Sequence, residues 1–261
     1  MSKQYKGYFI DLDGTVYAGK RRIPAAKRFV ERLQQTHTPF LFVTNNTTKL
    51  PRDVVLNLAE NHDIHVTEEN VYTAGLATAD YLDDLASKEN RKAYIVGEIG
   101  LKQALLSKGF TLENRNPDYV IVGLDSDVTY HKFELATLAI RNGAKFIGTN
   151  SDSNIPNERG MLPGAGSLVK MVEYTTQQQA LYIGKPEPII MKNALKKVGL
   201  DKSEVVMVGD NYLTDISAGI NVGMDTLLVY TGLSTKSQIA AVEKKPTYEI
   251  ESLDDWNLAN D

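Results

Sequence analysis

Two acids near the N-terminus invite a chemical reading. The stretch YFIDLDGTVY, residues 8–17, sets Asp11 and Asp13 on either side of one leucine and follows them with a glycine. Taken singly it reads as a hairpin turn, because an Asp-Gly pair between apolar alternations is the strongest short-range hairpin signal. A second acidic stretch, GDNYLTD at 209–215, carries Asp210 and Asp215. Between the two lie VTNN at 43–46, with Thr44, Asn45 and Asn46, and GKPEP at 184–188, with Lys185.

Four carboxylates gathered in one place need a counter-charge. Two bare charges about 4 Å apart repel by ~4 kcal/mol at an effective dielectric of 20. Either some of the acids hold protons or a cation sits among Asp11, Asp13, Asp210 and Asp215. With oxygen donors and neither His nor Cys in the set, the cation expected is hard, and Mg²⁺ is the choice. Mg²⁺ commonly shares its shell with a substrate phosphate. Lys185 adds a point charge suited to phosphate oxygens, while the Thr44 hydroxyl and the amides near Gly14 and Asn45 could hold the same oxygens. An acid pair two residues apart then fits covalent phosphoryl transfer, one carboxylate attacking phosphorus and the other moving protons.

Such residues act together only if the fold collects them. Short apolar runs alternate with stretches of helical period along the chain. Tyr8–Ile10, Pro39–Val43, Ala180–Ile183 and Val205–Val208 each end in one of the four polar stretches. Runs apolar on both faces suit buried parallel strands, so the expected class is α/β with mainly parallel sheets. Ligands bind beyond the carboxyl ends of such strands. If these four runs share one sheet, their ends meet. The runs Ala93–Val96, Tyr119–Val122 and Lys145–Ile147 lack that chemistry at their ends and lie consecutively inside the chain, as an inserted domain would.

Composition narrows the function classes. The chain has 261 residues, 42% hydrophobic and 24% charged, with net charge −4 and no dense basic run, which argues against nucleic-acid or membrane-surface partners. It has no cysteine, which removes disulfides, thiolate metal sites and cysteine nucleophiles. His37, His62, His65 and His131 show no metal spacing. No apolar stretch suits a signal peptide or a bilayer span, so a cytoplasmic location is expected.

DLDGT, VTNN, GKP and GDNYLTD, in that order, resemble the signature of the haloacid dehalogenase (HAD) superfamily, phosphatase branch. The insertion between the second and third stretches is similar to that of the NagD-like branch. The runs VTNNTTK, GLDSDVTY, IRNGAKFIGTNSD, GKPEPIIM and GINVGMDT look like those of NagD-type proteins of Gram-positive bacteria assigned as acid sugar phosphatases. The resemblance spans essentially the whole chain. It implies a Rossmann-like core at about 1–77 and 180–261 and an α/β cap at about 78–179, with Gly75 and Gly184 as candidate hinges. It implies Asp11 as nucleophile and Asp13 as acid/base, with the Asp13 backbone carbonyl on Mg²⁺. Thr44, with Asn45 and Asn46, would bind the phosphoryl group, Lys185 would neutralise the phosphoaspartate, and Asp210 would ligate the metal. Asp215 would hold a coordinated water or orient its neighbours. Asn150 and Asp152, just past a cap strand, would belong to the substrate loop, although an Asx turn explains them as well.

The expected activity is Mg²⁺-dependent hydrolysis of small phosphorylated metabolites. Acid sugar phosphates come first, with nucleoside monophosphates, other sugar phosphates and pyridoxal 5′-phosphate as alternatives. A phospho-acceptor domain or an idle phosphometabolite binder is the rival outside the hydrolases. An apolar cap face could support a homodimer.

Overall fold

The computed structural model describes residues 3–157 and 159–258. The chain separates into two compact units. The first takes the chain up to Thr44, then Arg52–Tyr72, then the chain from Lys185 onward; the second takes Asn45–Pro51 and Thr73–Gly184.

The first unit is organised by a six-stranded sheet. Its spatial order is Tyr248–Ile250, Asp225–Val229, Val205–Gly209, Gly7–Ile10, Phe40–Thr44 and Val71–Thr73. The four pairings from Phe40–Thr44 to Tyr248–Ile250 are parallel. Gly7–Ile10, Phe40–Thr44 and Val205–Gly209 are buried along their whole length, which explains their continuous apolar sequences. The chain leaves Gly7–Ile10 toward one edge of the sheet and later returns to its other side at Val205–Gly209. That reversal is the topological switch point, where the carboxyl ends of adjacent strands open a crevice. Asp11 follows one of these two strands and Asp210 the other.

Helix Pro24–Gln35 begins at a proline, which suits a first turn with no intrahelical N–H partner, and buries Ala26, Phe29, Val30 and Leu33. Its Arg32 guanidinium donates to Trp256 O at 2.9 Å. Trp256 is itself buried, donating from its ring to the Tyr8 hydroxyl at 3.2 Å and packing edge-on to Tyr248. The last described segment is thereby anchored against the first strand.

The second unit carries a five-stranded sheet in the order Leu181–Tyr182, Lys145–Gly148, Tyr119–Val122, Lys92–Val96 and Thr111–Leu112, parallel at every pairing. Helices Tyr130–Arg141 and Ala165–Thr176 bury Phe133, Ala136, Ile140, Val169 and Val172 in its core. A hairpin pairs Asn154–Asn157 with Gly160–Pro163. Among the described residues, no helix is long and apolar enough to cross a membrane.

One expectation fails here. The condition that all four runs share one sheet is not met at Ala180–Ile183, because Leu181–Tyr182 pairs with Lys145–Gly148 in the second unit. Strand character at that run follows from its apolarity, whereas the choice of sheet follows from its partners, which apolarity does not encode.

Candidate active site

The acidic side chains of the site follow the two strands at the switch point of the first sheet. Asp11 extends the first strand by one residue, its N–H donating to Val208 O at 2.9 Å. The chain then turns back on itself, with Val16 N–H donating to Leu12 O at 2.8 Å and Gly14 N–H to Tyr17 O at 2.6 Å. Gly14 takes φ +100°, a conformation that side-chain-bearing residues avoid, and a Cβ there would overlap the Asp210 carboxylate. A Cβ at Gly232 would overlap the same carboxylate.

The Lys185 ammonium sits at the centre. Its Nζ lies 2.5 Å from Asp11 Oδ1, 2.8 Å from Asp215 Oδ1 and 2.7 Å from the Val43 carbonyl. Three acceptors match the three protons of an ammonium. Lys185 reaches them from the loop ahead of helix Pro188–Val198, and its peptide bond to Pro186 is cis. Burial favours the neutral amine, but the Asp11 and Asp215 carboxylates outweigh it and hold the lysine above its ordinary range. Its three acceptors thus surround a buried positive charge.

Asp210 and Asp215 are each held on both oxygens. Asp210 Oδ1 accepts from the Thr15 hydroxyl at 3.1 Å and Oδ2 from Leu233 N–H at 2.7 Å. Asp215 Oδ2 accepts from Asn211 N–H at 3.1 Å, and Oδ1 takes the Thr214 hydroxyl at 3.2 Å as well as Lys185. A π-helical turn at Tyr212–Ile216 brings Asp215 close to Asp210; the regular helix starts at Ser217. Asp11 differs from both, because its Oδ2 takes no hydrogen bond from any described residue.

One oxygen from each of Asp11, Asp210 and Asp215 lies within 4.8 Å of the others. Three buried carboxylates against one ammonium leave negative charge uncompensated. Burial and then Asp215 push the Asp11 carboxyl well above its usual range, with Lys185 opposing. Burial and then Asp215 raise Asp210 to about 6. The donor set is all oxygen, pre-oriented by neighbours and short of positive charge, which fits a hard divalent cation.

The remaining expected residues separate into two groups. The Asp13 carboxylate stands outside the three-acid cluster, so three of the four acids gather. It is exposed, with Gly19 N–H donating to its Oδ1 at 3.3 Å. Thr44 is buried at the end of its strand, directly after the Val43 carbonyl that Lys185 uses. Asn45, Asn150 and Asp152 come together in the second unit: Asn45 Nδ2 donates to Asp152 Oδ2 at 3.0 Å, and Asn150 Nδ2 to Asn45 O at 2.9 Å. The Asx turn considered for Asn150 is present too, its Oδ1 accepting from Asp152 N–H at 3.1 Å. Asn46 Oδ1 serves its own turn, accepting from Thr48 N–H at 2.8 Å and the Thr48 hydroxyl at 3.0 Å.

Thr15, Leu233 and Gly232 were not singled out from sequence. TGLS at 231–234 follows Asp225–Val229, the strand beside Val205–Gly209. The strand-end rule that found the other stretches would have reached it, but amides and hydroxyls carry no charge signal.

Comparison with known proteins identifies the family. The model of the haloacid dehalogenase-like hydrolases matches residues 8–111, and a HAD-hydrolase-like model matches 182–256. The chain is 49% identical over 254 residues to the 5′-nucleotidase YutF of Bacillus subtilis, covering 97% of this chain and 98% of the relative. It is 50% identical over 252 residues to the acid sugar phosphatase of Staphylococcus epidermidis, covering 96% of each. The solved structure of NagD from E. coli K-12 matches with TM-score 0.91 and 32% identity, covering 98% of this chain and 99% of that one. The chain belongs to the haloacid dehalogenase-like hydrolase family, in its NagD-like branch.

Proposed function

We propose that the chain is a Mg²⁺-dependent phosphatase that hydrolyses small phosphorylated metabolites through an aspartyl-phosphate. The observation that carries this reading is the asymmetry of Asp11. Lys185 fixes one carboxylate oxygen, and the other takes no hydrogen bond from a described residue. A carboxylate held on one side and free on the other is aimed as a nucleophile.

In the first step Asp11 Oδ2 forms a bond to phosphorus. The bond from phosphorus to the ester oxygen breaks, and that oxygen takes its electron pair and a proton from the Asp13 carboxyl. In the second step the Asp13 carboxylate takes a proton from water, whose oxygen attacks phosphorus and releases phosphate and the Asp11 carboxylate. Asp13 is exposed, as a group trading protons with a leaving alcohol and with water must be. Lys185 keeps its charge throughout and offsets the charge shared between Asp11 and the phosphoryl oxygens. Asp11 and Asp210, with Asp215 and the Asp13 carbonyl beside them, would hold Mg²⁺, which when bound would neutralise phosphoryl charge as a Lewis acid. Thr44, with the chain that follows at Asn45 and Asn46, would bind phosphoryl oxygens.

We read the second unit as the cap of the branch, with Asn150 and Asp152 in its substrate set. Acid sugar phosphates stand first as substrates and nucleoside monophosphates next, since relatives bearing those two names are 50% and 49% identical to this chain. The test is phosphate release from a panel of phosphomonoesters, with and without EDTA, followed by Mg²⁺ or Ca²⁺. Activity lost to EDTA and restored better by Mg²⁺ than by Ca²⁺ is expected. Equal rates with and without divalent cations would remove the metal, and no release from any ester would remove the phosphatase.

A further inference from the structure

Directly after the acidic turn, Tyr17–Ala18 pairs antiparallel with Arg21–Arg22 in a small hairpin. Both ends of its first arm are tied to Asp13. Tyr17 and Asp13 form a β-bridge, and Gly19 N–H at the tip donates to the Asp13 carboxylate. The Tyr17 ring lies flat on His62, with centroids 4.4 Å apart and 13° between the planes.

His62 ends helix Pro51–His62 and is 4% exposed, yet its Nδ1 is buried with no hydrogen-bond partner among the described residues. A buried ring nitrogen left unpaired works against folding. What the position offers is a flat apolar face under the tyrosine. The Tyr17 hydroxyl is different: it makes no hydrogen bond to a described residue, and the residue is only partly buried. Burial, then Asp13, then Asp11 hold the phenol above its ordinary range, which keeps it a neutral donor.

A tyrosine bridged to Asp13 stands on the side of the site where Asp13 would protonate the leaving group. We propose that Tyr17 is a specificity-determining residue whose hydroxyl donates to an oxygen of an aliphatic leaving group, and that His62 is the positioning residue that holds its ring. The selected class is polyol- and sugar-type phosphomonoesters over aryl phosphates. This rests on the phosphatase reading above.

The experiment compares kcat/KM for glycerol 1-phosphate with that for p-nitrophenyl phosphate. Tyr17→Phe should lower the ratio of the two about fivefold, chiefly through KM for the glycerol ester, as loss of one neutral hydrogen bond predicts. His62→Ala should lower the ratio similarly, and His62→Phe, which keeps a flat ring, should restore it. A ratio unchanged in Tyr17→Phe overturns the proposal, as do equal ratios in His62→Ala and His62→Phe. Wild-type protein that fails on glycerol 1-phosphate, or a ratio unchanged by Tyr17→Phe, overturns the proposal alone, whereas release of phosphate from no ester of the panel above overturns the phosphatase reading and the proposal with it.

Discussion

Lys185 and Asp11 are 174 residues apart in the chain, and the lysine ammonium meets the aspartate carboxylate at 2.5 Å. The contact closes a buried group in which Asp215 shares the same ammonium. Lys185→Met keeps the stem and deletes the charge, leaving two buried carboxylates facing each other. Breaking such a pair costs about 3–5 kcal/mol, and loss of an electrostatic stabiliser lowers kcat about 10²- to 10³-fold. Thermal unfolding and initial rates check both, and a variant equal to wild type in both would show that the ammonium does nothing.

Asp210 should behave in the opposite way for stability without metal. Its carboxylate faces Asp215 across a buried space, and that repulsion helps raise it to about 6. Asp210→Asn can still accept from Leu233 N–H and can donate to the Thr15 oxygen. Metal-free Asp210→Asn should therefore melt at or above the wild-type temperature, while needing at least about tenfold more Mg²⁺ for half-maximal activity. A lower melting point without metal, or an unchanged Mg²⁺ requirement, would count against the cation site.

The asymmetry between these two residues bears on what the sequence could disclose. Asp11 and Asp210 were legible because charged residues at the ends of apolar runs stand out, with Asp13 and Asp215 in the same short polar stretches, and strand ends are where α/β sheets bind ligands. Lys185 was found by the same rule for a partly mistaken reason, since its preceding strand belongs to the other sheet. The edge strand Tyr248–Ile250 was missed because its three residues are half exposed and make no apolar run. The Leu233 amide and the Val43 carbonyl were invisible because every residue carries the same backbone groups, and only the fold selects which of them point inward.

His62 gives a pH signature. Burial, then the Arg22 charge, lowers its pKa, with Asp13 opposing and the uncharged Tyr17 ring covering it. In the unfolded chain it titrates near pH ~6.5. Below that value the unfolded state binds the proton first, so this contribution is fully present above pH ~6.5 and is lost as pH falls toward the folded pKa. His62→Phe cannot take the proton. Its melting temperature should fall less than that of wild type between about pH 7.5 and about pH 5.5. Equal losses would mean that His62 is protonated as readily in the folded protein as outside it.

Asp13→Asn should keep the fold, because the residue is exposed and its carboxylate takes, among the described residues, a single long hydrogen bond, 3.3 Å from Gly19 N. Turnover should fall about 10²- to 10⁴-fold. The loss should be largest for alkyl phosphates, whose leaving alcohols need a proton, and smallest for p-nitrophenyl phosphate. A loss independent of leaving group would argue that Asp13 serves the geometry of the turn and not proton transfer.

The covalent role of Asp11 is the centre of the account, and turnover by Asp11→Asn with Mg²⁺ present tests it most directly. The asparagine can still fill the space beside Lys185 but cannot form an acyl phosphate. The predicted result is a folded protein with no phosphate release above background from any ester the wild type hydrolyses. Phosphate release at the wild-type rate would contradict it.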